Sequence, residues 1–204
     1  MIQALVLFLA YILGAIPFGY LLVRLKTGRD VREFGSGNIG ATNVLRTTGR
    51  GLGVVTLLLD IAKGFSAVWL AALLIPNDPY LLWRSAAAVA VMAGHAFPAF
   101  LRFKGGKAVA SFVGAFLYLA PVPLLCVLLL FVAVVWYTRY ISLGSIVAAG
   151  TFPFGVWLIL HPPAPVWIAA LIAGGFIVYR HKANLQRIRA GTENLFSFGG
   201  KRAR

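Results

Sequence analysis

The sequence predicts an all-α integral membrane protein with seven transmembrane helices, its N-terminus outside and its C-terminus in the cytoplasm. Of the 204 residues, 60% are hydrophobic and only 12% are charged. A soluble chain of this length has too little interior to bury so much apolar surface. The charged residues also lie between long apolar runs, which is the pattern of membrane spans and their connecting loops.

Seven apolar segments are long enough, or nearly so, to cross a bilayer as helices. The run 108–138 is too long for one span, because 31 residues would form about 46 Å of helix, whereas the bilayer core is about 30 Å thick. Pro121 and Pro123 interrupt it, so we divide it into two short spans. We expect a single polytopic membrane domain with spans at approximately 2–23, 51–75, 81–101, 108–120, 123–138, 143–160 and 165–180.

The basic residues predict the orientation. All but Lys63 and Arg84 of the 19 lysines and arginines fall on one side of this arrangement, and by the positive-inside rule that side is the cytoplasm. The net charge of +14 therefore belongs to an inner membrane face, and no nucleic-acid partner is expected. We place the chain in the inner (cytoplasmic) membrane as a multi-pass protein. Its one cysteine, Cys126, lies in an apolar run and is interpreted as a packing residue.

The first inner loop is rich in glycine and polar residues. Its glycines permit turns that aim successive N–H groups at one anion, so a phosphate site is predicted. A nucleotide P-loop has similar spacing but needs a lysine where this chain has Ala41. The alternative is a flexible turn without a ligand. The candidate residues are Gly35, Ser36, Gly37, Asn38, Gly40, Thr42, Asn43 and Arg46.

A second inner segment, 94–107, ends in Lys104, Gly105, Gly106 and Lys107 at the start of a new helix. Lysines at a helix N-terminus are typical of an anion site. Anchoring by positive charge alone is the alternative, although anchoring does not require the glycine pair.

The third inner segment follows the last span. Arg180, Asn184 and Arg187 are spaced to share one face of a helix, and Glu193 is expected to order basic side chains. A basic amphipathic helix on the membrane surface is the alternative. Within the second span, Asp60 and Lys63 are interpreted as a structural ion pair that supports the first loop.

The five acidic residues do not form the carboxylate group that a metal-dependent phosphoryl transferase needs. We therefore expect no metal and no cofactor. A phosphate site without metal suits a substrate whose phosphate is a handle or leaving group, as in acyl transfer by direct attack of a hydroxyl. The His-x₄-Asp pair of the familiar glycerolipid acyltransferases is excluded, because Phe100, Val166 and Gln186 stand where its aspartate would be.

The three segments, together with Ser142–Ser145, resemble the bacterial acyl-phosphate:glycerol-3-phosphate acyltransferases. The resemblance covers nearly the whole chain. It implies a seven-helix enzyme that takes acyl-phosphate and glycerol 3-phosphate, works among membrane lipid without an obligatory protein partner, and forms lysophosphatidic acid by acylating the 1-hydroxyl. One departure is Ala108, where the family usually has glycine.

Carried over by position, the resemblance implies two sets of site residues. The proton of the hydroxyl would go to His181 or to a phosphate oxygen of the donor, and the sequence does not decide between them. A secondary transporter of a phosphorylated solute is the alternative function. The catalytic set is Ser36, Arg46, Lys104, His181, Asn184 and Glu193, and the substrate-binding set is Gly35, Gly37, Asn38, Gly40, Thr42, Asn43, Gly105, Gly106, Lys107, Ser142 and Arg187.

Overall fold

A computed structural model describes residues 1–196 of the chain. Every regular element in this part is helical, which confirms the predicted all-α class. The chain divides into two compact units, Met1–Leu119 and Ala120–Arg204. Lys201, Arg202 and Arg204, which the sequence places in an inner tail, lie outside the described residues.

The first unit contains six α-helices and three short 3₁₀ turns, at Val31–Glu33, Pro79–Leu81 and Ala99–Leu101. Its longest helix, α4, carries the predicted ion pair of Asp60 and Lys63. The helices are α1 (Ile2–Ala15), α2 (Phe18–Thr27), α3 (Ala41–Thr47), α4 (Arg50–Leu74), α5 (Leu82–Ala96) and α6 (Val109–Leu119).

The first predicted span is interrupted in its interior. Pro17 has no N–H with which to continue the helical hydrogen bonds, so α1 ends at Ala15 and α2 begins at Phe18. The side chain of Lys63 donates a hydrogen bond of 2.8 Å to the carbonyl of Ile16 at this break. Lys63 thus adds a side-chain donor to a carbonyl that otherwise accepts only from the N–H of Phe18 among residues 1–196.

Glycines bring the helix backbones of the first unit into direct contact. A Cβ on Gly14 of α1 would overlap the carbonyl of Val91 on α5, and a Cβ on Gly94 of α5 would overlap that of Tyr11 on α1. The same reciprocal arrangement joins α4 to α6. There a Cβ on Gly64 would overlap the carbonyl of Ser111, and one on Gly114 would overlap that of Ile61. Small residues permit this close approach in membrane proteins.

The second unit consists of α7 (Pro121–Thr138), α8 (Ile141–Leu160), α9 (Ala164–Arg180) and α10 (Lys182–Arg189). Proline is tolerated in the first turn of a helix, and Pro121 is the first residue of α7. The long run 108–138 is therefore divided at the prolines, as the sequence predicts. Cys126 on α7 is exposed at the surface of the helices, and its interpretation as a packing residue stays a prediction.

Five helical segments within residues 1–196 are long and apolar enough to cross a membrane, and the bent pair α9 and α10 makes a sixth. The shorter helix α6 is also apolar. A helix of 11 residues spans only about 16 Å, so length alone does not classify α6. The five segments are Ile2–Thr27, Arg50–Leu74, Pro79–Leu101, Pro121–Thr138 and Ile141–Leu160.

Candidate phosphate-binding and catalytic segments

The buried side chain of Asn43 holds the first inner loop together. Its Nδ2 donates to the carbonyls of Val31, Phe34 and Asn38 at 3.1, 3.0 and 2.8 Å. Its Oδ1 accepts from the N–H of Ser36 at 2.8 Å. Because both ends of the amide are engaged within the loop, Asn43 shapes the loop from inside, whereas the sequence assigned it to substrate binding.

The glycines of the loop serve its turns. Gly35 and Gly37 have φ of +60° and +68°, a region that L side chains rarely adopt. The N–H groups of Ser36, Gly37 and Gly40 donate to acceptors inside the loop. These three N–H groups, which were expected to point at an anion, are therefore engaged within the loop. The Ser36 side chain is exposed on the loop and Arg46 is half-buried in the last turn of α3.

A small apolar cluster connects the first and second inner segments within the first unit. Val23, Val31, Ile39 and Val44 pack together under the glycine-rich loop, and Leu101 from the second segment joins them. Shared burial of these side chains fixes the two segments to each other. The structure thus brings together two phosphate-binding candidates that lie about 60 residues apart in the sequence.

The glycine pair of the second segment packs against His95. The N–H groups of Gly105 and Gly106 donate to the carbonyls of Ala96 and His95, both at 3.1 Å. A Cβ on Gly105 would overlap those carbonyls, and one on Gly106 would overlap the His95 ring. Close packing therefore requires the glycines. Of the flanking lysines, Lys104 is exposed and Lys107 is half-buried.

Ala108 adopts the backbone conformation that a glycine would normally supply. Its φ is +61°, which costs an L-residue about 1–2 kcal/mol. The side chain is fully buried, and burial of one methyl group returns about 0.8 kcal/mol. The departure at this position leaves the local backbone in the left-handed form, so the sequence change does not remove the turn into α6.

An ion pair before the first loop has no counterpart among the predicted site residues. Asp30 accepts from the backbone N–H of Arg32 at 2.9 Å and binds its guanidinium, with Nη2 2.6 Å from Oδ2. The side-chain hydrogen bond from Arg32 is the main reason that the pKa of Asp30 lies below its ordinary value. The opposite charges of Asp30 and Arg32, two residues apart in the sequence, could have predicted this ion pair.

Glu193 is the centre of the third segment. Its Oε1 accepts hydrogen bonds from Ser142 at 2.9 Å and Asn184 at 2.7 Å, and its Oε2 accepts from the Nε of Arg187 at 2.7 Å. Burial raises the pKa of the Glu193 carboxyl, but the three hydrogen bonds together outweigh burial and hold the pKa below its ordinary value. Four predicted site residues of the second unit thus form one cluster around an ionised carboxylate.

Asn184 and Arg187 lie on the same face of α10, since both bind Glu193, whereas Arg180 ends α9 on the other side of a 48° bend. His181 stands at the bend, and its Nδ1 lies 2.8 Å from the carbonyl of Ile177. A carbonyl can only accept, so Nδ1 carries the proton and the neutral ring has its lone pair on Nε2. His181 is buried, and this hydrogen bond fixes its tautomer.

These features define a class of protein: a helical, multi-pass membrane protein with glycine-rich, cationic segments suited to phosphate and a buried carboxylate that orders amide and guanidinium groups. Within residues 1–196 no three His, Cys, Asp or Glu side chains come together as a metal-binding group.

The chain belongs to the glycerol-3-phosphate acyltransferase family, whose sequence model matches residues 4–191. It is 45% identical to a glycerol-3-phosphate acyltransferase of Desulforamulus reducens over 95% of this chain and 94% of that protein. A relative from Geobacter sulfurreducens is 47% identical over 92% and 94% of the two chains.

Two crystal structures of PlsY (YgiH), described as an integral membrane glycerol 3-phosphate acyltransferase, have the same fold. The glycerol 3-phosphate form has a TM-score of 0.89 at 35% identity and covers 96% of each chain. The lysophosphatidic acid form has a TM-score of 0.85 at 33% identity over 96% of this chain and 95% of that one. The predicted family, the integral membrane character and the acyltransferase activity on glycerol 3-phosphate in phospholipid synthesis are confirmed, and the transporter alternative is set aside.

Proposed function

We propose that this enzyme transfers an acyl group from acyl-phosphate to the 1-hydroxyl of glycerol 3-phosphate and releases lysophosphatidic acid and phosphate. The observation that carries the proposal is the match to PlsY in its glycerol 3-phosphate form over 96% of the chain. The reaction uses no cofactor and no obligatory protein partner. It takes place at the cytoplasmic face of the inner membrane, among seven spans of one polytopic domain, with the N-terminus outside.

In the first unit, the glycine-rich loop binds the phosphate of the donor. Ser36 offers an exposed hydroxyl at the loop, and Arg46 provides the positive charge that a phosphate dianion needs. Gly35, Gly37, Asn38, Gly40 and Thr42 give the loop its path. The rigid amide of Asn43 supports this arrangement, because a loop fixed before binding loses less entropy when the ligand arrives.

Lys104 and Lys107, on either side of the glycine pair, bind the phosphate of glycerol 3-phosphate. Both lie at the end of a segment whose backbone is fixed against α5. Their ammonium groups act as point charges on flexible stems, so they tolerate substrate entry while the glycines hold the loop close to His95.

In the second unit, Glu193 sets the positions of the groups around it. It engages only the Nε of Arg187, and within residues 1–196 the terminal nitrogens of that side chain make no hydrogen bond. Arg187 is thus prepared to bind a phosphate. Asn184 and Ser142 are held by the same carboxylate.

The chemical step is direct attack of the substrate hydroxyl on the acyl carbon. A new C–O ester bond forms, the bond between the acyl carbon and the phosphate oxygen breaks, and phosphate leaves with the electron pair. The hydroxyl proton passes to Nε2 of His181 or to a donor phosphate oxygen. Because acyl-phosphate is already activated, binding and orientation of both substrates can supply much of the acceleration.

Product formation by the purified protein tests this proposal. Acyl-phosphate and glycerol 3-phosphate should give lysophosphatidic acid in the presence of EDTA and without ATP or CoA. The donor assignment fails if acyl-CoA replaces acyl-phosphate at equal kcat/KM, and the metal-free step fails if EDTA abolishes activity that Mg²⁺ restores. In proteoliposomes, glycerol 3-phosphate carried across the bilayer unchanged would contradict the reaction itself.

His181→Asn separates the two candidate bases. The asparagine amide can still donate to the Ile177 carbonyl from the position of Nδ1, but it has no counterpart of Nε2. If Nε2 takes the proton, kcat should fall by about 10²–10⁴-fold while the thermal stability stays close to that of the wild type. A kcat within threefold of the wild type would leave the donor phosphate as the base.

A further inference from the structure

Four polar side chains from three helices meet in the interior of the first unit. Asp60 and Lys63 come from α4, His95 from α5 and Ser111 from α6, and none is more than 4% exposed. Ionisable groups inside membrane helices are expensive to bury and mark functional arrangements by default. We call these four residues the buried polar cluster.

Lys63 contacts two groups, the carboxylate of Asp60 and the backbone carbonyl of Ile16. Its Nζ lies 2.8 Å from Oδ1 of Asp60 and donates to the carbonyl of Ile16 at 2.8 Å. The contact with Asp60 is an ion pair rather than a directed hydrogen bond, because among residues 1–196 Oδ1 has no partner at hydrogen-bonding angles. The same Oδ1 lies 3.7 Å from Nδ1 of His95, and Nδ1 is 3.1 Å from Oγ of Ser111.

One end of the cluster reaches the second inner segment through His95. The carbonyl of His95 accepts from the N–H of Gly106, and its ring lies so close to Gly106 that no Cβ fits there. Lys107 follows directly in the sequence and Lys104 stands two residues before. The orientation of the His95 ring, set by Ser111 and Asp60, thus determines how this segment lies.

The other end reaches the first inner loop through Ile16. α2 begins just after the carbonyl that Lys63 holds. Gly19 of α2 is in backbone contact with Ile39 of the loop, since a Cβ on Gly19 would overlap the Ile39 carbonyl. A shift of the helix break would therefore displace the loop that carries Ser36.

We propose that the buried polar cluster positions both phosphate-binding segments of the first unit, with His95 as the positioning residue for Lys104 and Lys107 and Lys63 as the positioning residue for the glycine-rich loop. The proposal rests on the function proposed above, because it assigns the two segments to substrate phosphates. None of the four residues is proposed to touch a substrate. Their effect is on geometry, and displacement of about 1 Å in a substrate-positioning group can cost 10²-fold in rate.

Substitutions at His95 test the connection to the second segment. His95→Ala should raise the KM for glycerol 3-phosphate about tenfold or more, with a smaller change in kcat. His95→Asn keeps a polar atom at the position of Nδ1 next to Ser111 and should restore KM to within about threefold of the wild type. His95→Gln places its amide at the position of Nε2 and should not restore it.

Ser85→Ala is the matched control. Ser85 is buried on the same helix as His95, and its Oγ has no hydrogen-bond partner among the described residues, so KM should not change. An His95→Ala enzyme with wild-type KM would overturn the proposal, as would equal KM values for His95→Ala and His95→Asn. If His95→Ala does not fold, Ser111→Ala carries the test with an expected rise in KM of about threefold, and an unchanged KM there would also overturn it.

A double variant tests the connection to the first loop. Asp60→Asn with Lys63→Met leaves no net buried charge but removes the hydrogen bond to Ile16. The KM of this double variant for acyl-phosphate should be about tenfold higher than that of the wild type. A wild-type KM in the double variant would show that the pair only balances charge, and it would overturn this half of the proposal.

Each variant is compared with a wild-type enzyme that forms lysophosphatidic acid. A wild type without product refutes the proposed function, whereas an active wild type with unaffected variants refutes the positioning role alone.

Discussion

The side-chain amide of Asn43 makes four hydrogen bonds to the backbone of the loop that it stabilises. Asn43→Ala would remove the partner of the Ser36 N–H and of the Asn38 carbonyl, while the carbonyls of Val31 and Phe34 keep backbone donors. Each buried group left unsatisfied costs about 1–3 kcal/mol. We expect a stability loss of about 2 kcal/mol or more and a fall in kcat/KM, measured by thermal unfolding in detergent and by initial rates.

Asn38→Ala provides the comparison for this prediction. Within the described part of the chain, the Asn38 side chain makes one hydrogen bond, accepted from the N–H of Gly40, so its loss should cost about 1 kcal/mol. Equal stability of the two variants would contradict the central role of Asn43 in the loop.

Glu193 should make stability depend on pH in the acid range. Its pKa in the folded protein lies below the ordinary value of 4.5, because the hydrogen bonds to the ionised carboxylate outweigh burial. The stabilisation is complete above pH 4.5 and is lost as the pH falls through the folded pKa. We expect the Tm of the wild type to fall more steeply below this pH than the Tm of Glu193→Gln. Parallel curves for the two proteins would show that the carboxylate contributes nothing through its ionisation.

At the scale of single residues, the sequence predicted some side-chain contacts correctly and others wrongly. Glu193 was expected to order basic groups, and it does so through Arg187. Asn43 was expected on the substrate, yet it bonds inside the loop. The difference arises because amides and glycines serve backbone turns and ligands equally well, and only the folded geometry separates the two uses.

Contacts between helix backbones should make glycine-to-alanine substitution far more destabilising at two positions than at a third. Gly64→Ala or Gly114→Ala would force α4 and α6 apart, and overpacking of this kind costs about 1–3 kcal/mol. A Cβ on Gly175 of α9 would meet nothing within 4 Å, so Gly175→Ala should raise stability by up to about 1 kcal/mol through helix propensity. Thermal unfolding of the three variants is the measurement. Wild-type stability in Gly114→Ala would refute the close contact.

At the scale of helices, apolar length predicted the elements and failed at their interruptions. The predicted span 143–160 lies within α8, Ile141–Leu160, and 165–180 within α9, Ala164–Arg180. The break between α1 and α2 and the bend at His181 were not predicted. At each place a side chain donates to a backbone carbonyl, Lys63 to that of Ile16 and His181 to that of Ile177, and hydropathy does not register such contacts.

The orientation of the whole chain in the membrane remains a prediction, based on the distribution of the lysines and arginines. In a Cys126→Ala background, a cysteine at exposed Asn77 should react with an impermeant thiol reagent in intact cells, while one at exposed Asn194 should react only after permeabilisation. The opposite pattern would mean that the positive charges face outward.

The exposed position of Cys126 gives the native protein a labelling site for measuring membrane depth. The sequence has one cysteine, and its thiol lies on α7 among outward-facing apolar side chains such as Leu125 and Leu129. A nitroxide attached there needs no engineered residue. Its relaxation by oxygen, which dissolves in lipid, compared with relaxation by a water-soluble paramagnetic ion, would give the immersion depth of α7 directly.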